Sequence, residues 1–537
     1  MDLSRRRVLG AMATGAATSA CRTSPRPVTS RFVGQLAERG HRLRDGGIPP
    51  ASAPTPMTAS VVIVGGGAAG LSAAWRLRRA GLRDVVLLEM EPAVGGTARG
   101  GELPRSRYPM GAHYLPAPHP SFRGLRTLLG DLGVIVGPTD RPEPDYELSY
   151  VCRGPVERHR YKGRWDPGLY PTLGESDEEQ AQWLRWRDHL RELDGRRGAD
   201  GRRLFDLPVL GSSTELRQLD RISMATYLDQ LGLDSWRLRW TVDYACRDDY
   251  GATLAQTSAF AGLHHFLSRG LEDEVDRFIL TWPQGNGWLT EQLSERAELG
   301  DRLRRDTVAY AIDPDTGVVE AWDAAAGEHL RISAHTVLWS APRFVLPRVL
   351  PRGRDRLPAG ALTYSPWLVA SVEVDEVPAG IGTDLAWDNV PVGADNLGYV
   401  VATHSQSLVD AHVPGTVLTY YEPLLGDDVV AERTRLLSGS LSQWTDHVLT
   451  QLDGMHPGIG RTVRAVDIAR WGHAMVRPVV GHLFGEGLRQ ARAEVGRVIP
   501  CAADVGGLPL FEEAFAAGVR AAERALAQLG RSEATIL

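Results

Sequence analysis

The hydrophobic pattern changes period several times along the chain, and each change marks an element. Val61 to Val64 is an unbroken β-branched run, which predicts a fully buried strand. Beyond it, Leu71, Ala74, Trp75 and Leu77 recur at near-helical spacing until Gly81, and Val85 to Leu88 is a second apolar run ending at Glu89. Glu178 to Leu193 carries Trp183, Trp186, Leu190 and Leu193 on one stripe among charges, the pattern of an amphipathic surface helix. Ser223 to Leu231 and Val429 to Leu452 also read as helices. Thr307 to Ile312, Val318 to Trp322 and Thr336 to Ser340 read as strands, with a hairpin turn at Thr316-Gly317. Leu362 to Val377 and Asp384 to Tyr421 alternate apolar and polar residues and predict an antiparallel sheet. At the end, Val498 to Leu526 reads as strand then helix, with Phe511, Ala514, Phe515, Gly518, Val519 and Ala522 at helical spacing.

The first strand–helix–strand unit carries chemistry. Gly65, Gly67 and Gly70 form G-x-G-x-x-G at the strand end. Gly65 allows a tight turn, Gly67 lets backbone approach a pyrophosphate, and Gly70 allows close helix–strand packing. The helix N-terminus turns free N–H groups and its positive dipole end toward the phosphates. Glu89 lies where an acid can take the hydroxyls of a ribose. The unit predicts a dinucleotide site.

The run EMEPAVGGTARGG, Glu89 to Gly101, resembles the second FAD fingerprint of the amine oxidase, protoporphyrinogen oxidase and phytoene desaturase superfamily. Gly95 and Gly96 match its paired glycine; Thr97 stands where Arg is common, with Arg99 two residues on. The resemblance extends to both ends of the fold, over about residues 58 to 530. VIPCAADVGG matches the closing strand–Gly-Asp–loop, with Asp504 as the aspartate that binds the FAD ribityl–phosphate region and Ala503 in place of the usual glycine. It implies that Gly111 passes beside the isoalloxazine, that Val308 meets the adenine, and that Ala341-Pro342 closes a nucleotide-domain strand. His113 then faces flavin or substrate, or is a loop histidine bonded to backbone. Trp471 is a substrate wall and His473 a polar partner, or both are core packing.

The implied architecture is α/β: a Rossmann-like FAD-binding domain interleaved with an α+β substrate domain of antiparallel sheet plus helices. The expected segments are a twin-arginine-like signal at 1–21, a linker at 22–57, FAD-binding parts at 58–124, 271–342 and 466–537, and substrate-domain parts at 125–270 and 343–465. The expected cofactor is FAD, and the expected reaction is hydride removal from a small-molecule substrate to flavin N5, with oxygen or a respiratory electron acceptor closing the cycle. Amine oxidation is the first expectation. An isoprenoid or carotenoid desaturase or isomerase, and an exported FAD-binding protein without turnover, are the alternatives.

Composition sharpens this picture. With 537 residues, 43% hydrophobic, the chain is long enough for two cores, and a net charge of −6 argues against a nucleic-acid partner. Ser4 to Gly10, SRRRVLG, resembles a twin-arginine signal, which implies export to the periplasm or cell envelope after folding; cleavage ahead of Cys21 would present it for lipid anchoring. Residues 22–57, with little periodicity, are expected to be loosely ordered. Cys152, Cys246 and Cys501 make neither a disulfide framework nor a metal pattern, and adjacent His264 and His265 point to different helix faces, so no metal site is expected. No later run approaches the roughly 18 apolar residues of a spanning helix, leaving peripheral membrane contact as the membrane expectation. Asp243, Asp248 and Asp249 are either a site for a cationic substrate or caps and solvated turns. Lys162 is the only lysine and lies far upstream of the position many amine oxidases use to hold a water at N5. G-x-S-x-G and H-E-x-x-H are both absent, which removes the hydrolase and zinc-protease readings.

Overall fold

The computed structural model describes residues 28–51, 53–269, 279–404, 415–531 and 533–537. The twin-arginine-like run and Cys21 lie outside the described residues. Two sheets organise the chain, of seven and nine strands. The seven-stranded sheet is built on β2 (Thr55–Val64), followed by α2 (Ala68–Arg79) and β3 (Val85–Leu88), all three largely buried. β2 runs parallel to β3 on one side and to the strand Glu328–Trp339 on the other. Glu328–Trp339 is shared: its first half pairs antiparallel with Val318–Asp323, and its last three residues pair parallel with Val498–Pro500. Chain from three distant segments therefore completes one nucleotide-binding sheet. The hairpin Thr307–Asp313 to Val318–Asp323 forms as predicted, with Gly317 at φ 75°. The closing helix Phe511–Gln528 packs on α2 so tightly that a Cβ on Gly518 would lie 2.0 Å from the Ala69 carbonyl oxygen.

The nine-stranded sheet belongs to the substrate domain and is mostly antiparallel. Its centre is Tyr364–Val374, buried along its whole length and paired with Thr416–Pro423 and Val463–Val476. Short helices and the long helix Asp177–Leu193 complete this domain; Ser176 and Glu179 form a capping box at that helix's start, and Trp186, Leu190 and Leu193 face inward. Among the described residues no helix is long and apolar enough to cross a membrane, and no group of three or more His, Cys, Asp or Glu side chains could hold a metal ion.

Three expectations change. The 22–57 segment is not a plain linker: β1 (Thr29–Val33) is an edge strand of the nine-stranded sheet, and α1 (Ala37–Asp45) follows it. Val463–Val476 is one continuous strand of the substrate-domain sheet, so the return to the nucleotide domain comes after residue 476 rather than at 466. Val429 to Leu452 is two helices, Val429–Ser438 and Leu441–Met455, because Gly439 leaves helical geometry and Ser440 caps the second helix against Gln443.

Candidate functional site

The nucleotide half is assembled from backbone. Gly65 has φ +106°, and a Cβ there would lie 2.7 Å from the Ala341 nitrogen; a Cβ on Gly70 would lie 2.0 Å from the Gly65 carbonyl oxygen. Both positions therefore admit only glycine. α2 starts at Ala68 with Gly67 as its N-cap and no side-chain cap, which leaves its first N–H groups for another acceptor. The paired glycines lie against this turn: the Gly95 N–H donates to the Gly66 carbonyl at 2.8 Å, and Gly67 and Gly96 meet backbone to backbone. Gly96 and Thr97 are exposed beside it. Arg99 is buried; its Nη1 donates to Ala93 O at 3.3 Å, and its Nε has no hydrogen-bond partner. A Cβ on Gly111 would lie 2.2 Å from the Thr97 carbonyl oxygen, so the two loops pass in contact.

Glu89 ends β3 with its carboxylate turned into the turn. It accepts from the Gly66 N–H at 2.7 Å and the Glu91 N–H at 2.8 Å, and burial pushes its carboxyl up to about 7. Val308 lies one residue past Thr307, whose N–H donates to the Glu89 carbonyl at 2.8 Å. At the other end Asp504 accepts from the Arg343 N–H and the Tyr364 hydroxyl, both at 2.7 Å through Oδ2, while its Oδ1 is buried without a partner. A glycine cradle, an uncapped helix start, an acid at the second strand's end and an orphaned Asp504 oxygen are the donor and acceptor set a dinucleotide requires. The residues fit FAD.

A second cluster begins where the Gly111 loop ends. His113 Nδ1 donates to the Gly111 carbonyl at 3.2 Å, a tautomer assigned from an acceptor that cannot donate, and this leaves Nε2 unprotonated. Burial pushes His113 down to about 4, so the ring is neutral near pH 7. Its ring lies 5.0 Å from Tyr421, 5.3 Å from Tyr114 and 5.7 Å from Trp387. Behind these rings is Asp388. It accepts from the Tyr421 hydroxyl at 2.9 Å and the Tyr244 hydroxyl at 3.1 Å, and burial pushes its carboxyl up to about 7. Tyr114, Trp387, Asp388, Tyr421 and Tyr244 were not among the residues predicted from sequence. They come from four segments far apart in the chain, and the only local signal is an aspartate opening the buried strand Asp388–Pro391.

The acidic set divides. Asp243 accepts from the Leu254 N–H at 2.7 Å, a turn contact. Asp249 pairs with His265 at 2.6 Å and with Arg269 at 3.3 Å, and Arg269 reaches Glu512 at 3.1 Å. Asp248 follows Tyr244 by one turn on the same face of helix Trp236–Tyr250, and its charge opposes ionisation of Tyr114, Tyr244 and Tyr421. Burial raises the Asp248 carboxyl well above the usual carboxylate range.

Trp471 and His473 separate. Trp471 is buried among Trp367, Trp387 and Tyr421, and its Nε1 donates to the Met110 carbonyl at 2.6 Å, so it holds the loop that carries His113. His473 stacks on Phe344 at 4.3 Å and meets Tyr364 edge-on at 5.7 Å, on the Asp504 side. Lys162 sits at φ 48° in the tight turn between Glu157–Tyr161 and Arg164–Pro167, with its ammonium 5.0 Å from the Tyr161 ring.

A family described as an NAD(P)-binding Rossmann-like domain matches residues 63–132, from the end of β2 through the helix Arg123–Asp131. Tryptophan 2-monooxygenase of Pseudomonas savastanoi is 43% identical over 137 residues, 24% of this chain and 23% of that protein. The match thus spans about a quarter of the length of this curated relative. Among solved structures, putrescine oxidase with bound putrescine superposes with a TM-score of 0.64 at 15% identity, over 88% of this chain and 100% of the other. Cyclohexylamine oxidase from Brevibacterium oxydans superposes at 0.61, also at 15% identity and over the same shares. The chain therefore has the fold of putrescine oxidase and cyclohexylamine oxidase, built around an NAD(P)-binding Rossmann-like unit.

Proposed function

We propose that the protein is an FAD-dependent oxidoreductase of the amine-oxidase type, acting on a small organic amine. The observation that carries this reading is the acid–aromatic cluster of His113, Tyr114, Tyr421, Trp387 and Asp388, which begins two residues from Gly111. Gly65, Gly67, Gly70, Gly95, Gly96 and Thr97 would hold the pyrophosphate, Glu89 and Val308 the adenosine end, and Arg99, Gly111 and Asp504 the flavin half. When bound, FAD supplies the two-electron acceptor for a hydride leaving a substrate C–H bond.

The chain's own residues do the rest. Aromatic faces favour a cation. An ammonium must lose a proton before its C–H bond can give up a hydride. Asp388, poised near 7, can hold that proton, relayed through the Tyr421 hydroxyl. The neutral His113 Nε2 accepts a hydrogen bond from the substrate nitrogen and orients it. Trp471, packed with Trp387 and Tyr421, fixes the loop that presents His113. His473, which burial pushes down to about 3, lies beside Tyr364 and supports the Asp504 end.

We assign the reoxidant to oxygen or a respiratory acceptor, and the location to the cell envelope, on the strength of the twin-arginine-like run and Cys21. Anaerobic bleaching of the flavin spectrum against a panel of amines and isoprenoids tests the reading. Bleaching by an amine supports it. Bleaching by isoprenoids alone would replace it with the desaturase or isomerase reading, and a bound flavin that no compound reduces would favour a binding protein.

A further inference from the structure

We propose that the segment Thr29–Gly46, ahead of the nucleotide fold, is a strap that fixes the adenosine end of the cofactor site, with Arg39 and Glu91 as positioning residues. The proposal rests on the FAD reading given above.

The strap is fastened at two ends. At the first, β1 pairs in parallel with Ala465 to Ala469 over five positions. Arg31 grips Asp467 with two parallel hydrogen bonds, Nε to Oδ1 at 2.7 Å and Nη2 to Oδ2 at 2.8 Å, and Asp467 also takes the Tyr108 hydroxyl. The Arg470 guanidinium lies 3.6 Å above the Phe32 ring. At the second end, the Leu36 N–H donates to Glu91 Oε1 at 2.8 Å. Arg39 Nη1 donates to the Met90 carbonyl at 2.5 Å and to Asp306 Oδ1 at 2.7 Å.

Those three targets surround the ribose-binding acid. The Glu91 N–H donates to Glu89 Oε1 at 2.8 Å; the Asp306 N–H donates to the Glu91 carbonyl at 3.1 Å; and Thr307, next to Val308, donates to the Glu89 carbonyl. The strap therefore bridges the substrate-domain sheet and the loop that aims Glu89. α1 buries no residue, and a nine-residue helix has little stability alone; Arg39 on Met90 and Asp306, the Arg42 guanidinium 5.2 Å over the Trp322 ring and half-buried Leu43 packed on the nucleotide sheet's core hold it in place. By linkage, the factor by which strap docking tightens cofactor binding is the factor by which bound cofactor favours strap docking.

The test compares wild type with Arg39→Ala and Arg39→Lys, measuring FAD release on dilution by recovery of flavin fluorescence, and limited proteolysis of the strap with and without FAD. The expected result is FAD release about tenfold faster in Arg39→Ala, from loss of a charge-assisted hydrogen bond. Arg39→Lys should restore part of the difference, substrate KM should not move, and FAD should slow strap cleavage in wild type. Arg31→Ala, which loosens the far end, should give a smaller change in the same direction and guards against a misfolded first variant. Unchanged release in both alanine variants, with cleavage indifferent to FAD, overturns the strap alone. A wild-type protein that takes up no FAD overturns both this proposal and the reading beneath it.

Discussion

At the residue scale, two of the buried carboxyls raised to about 7, Asp388 and Glu89, set the pH behaviour of the site. Burial raises the Asp388 carboxyl to about 7, so its contribution to stability is complete below the ordinary aspartate range near ~4 and is lost as pH rises through about 7. Catalysis runs the other way, because only the ionised form takes a proton. The rate of flavin reduction by an amine should rise through about pH 7. Asp388→Asn, which keeps a carbonyl for the Tyr421 hydroxyl, should lower it at least tenfold and flatten that rise, as measured by stopped-flow absorbance. Glu89, also raised to about 7, accepts ribose hydroxyls more strongly once ionised. FAD affinity of the apoprotein should tighten between pH 6 and 8, and Glu89→Gln should weaken it about tenfold and remove the pH dependence, as read by fluorescence titration. Glu89 and the glycines were legible in sequence because their chemistry is local to one strand–turn–helix. His113 was legible only as a position, since its partners Tyr421, Trp387 and Asp388 arrive through tertiary contacts.

At the element scale, the turn between β2 and α2 is the part with least tolerance. A Cβ at Gly70 meets the Gly65 carbonyl oxygen at 2.0 Å, and neither backbone can yield without opening the helix start. Gly70→Ala should cost about 3 kcal/mol by overpacking and abolish FAD retention, checked by denaturant unfolding and visible absorbance. The hydrophobic period identified α2, β2, β3 and the strand Tyr364–Val374, whose burial writes itself into sequence. It missed β1, because an edge strand is held by backbone pairing and by Arg31, not by an apolar face. It also ran through Gly439-Ser440, since the apolar stripe resumes after the break and only the cap marks it.

At the scale of the whole molecule, the chain crosses between its sheets several times, and those crossings make the site. Val463–Val476 carries Trp471 toward the His113 loop and His473 toward Tyr364 and Asp504, so one strand reaches both the His113 cluster and the Asp504 end. The glycine-rich first unit and the Asp504 segment announced the two-domain plan from opposite ends of the chain. The crossing after residue 476 was not legible, because a long strand shared by site and sheet has no composition change at its functional end.

The account stands on bound FAD reduced by an amine, and the visible spectrum of the purified or FAD-reconstituted protein tests it most directly. It predicts flavin absorption bands that bleach on anaerobic addition of an amine and return on reoxidation. A protein that shows no flavin absorbance and takes up no added FAD would contradict it.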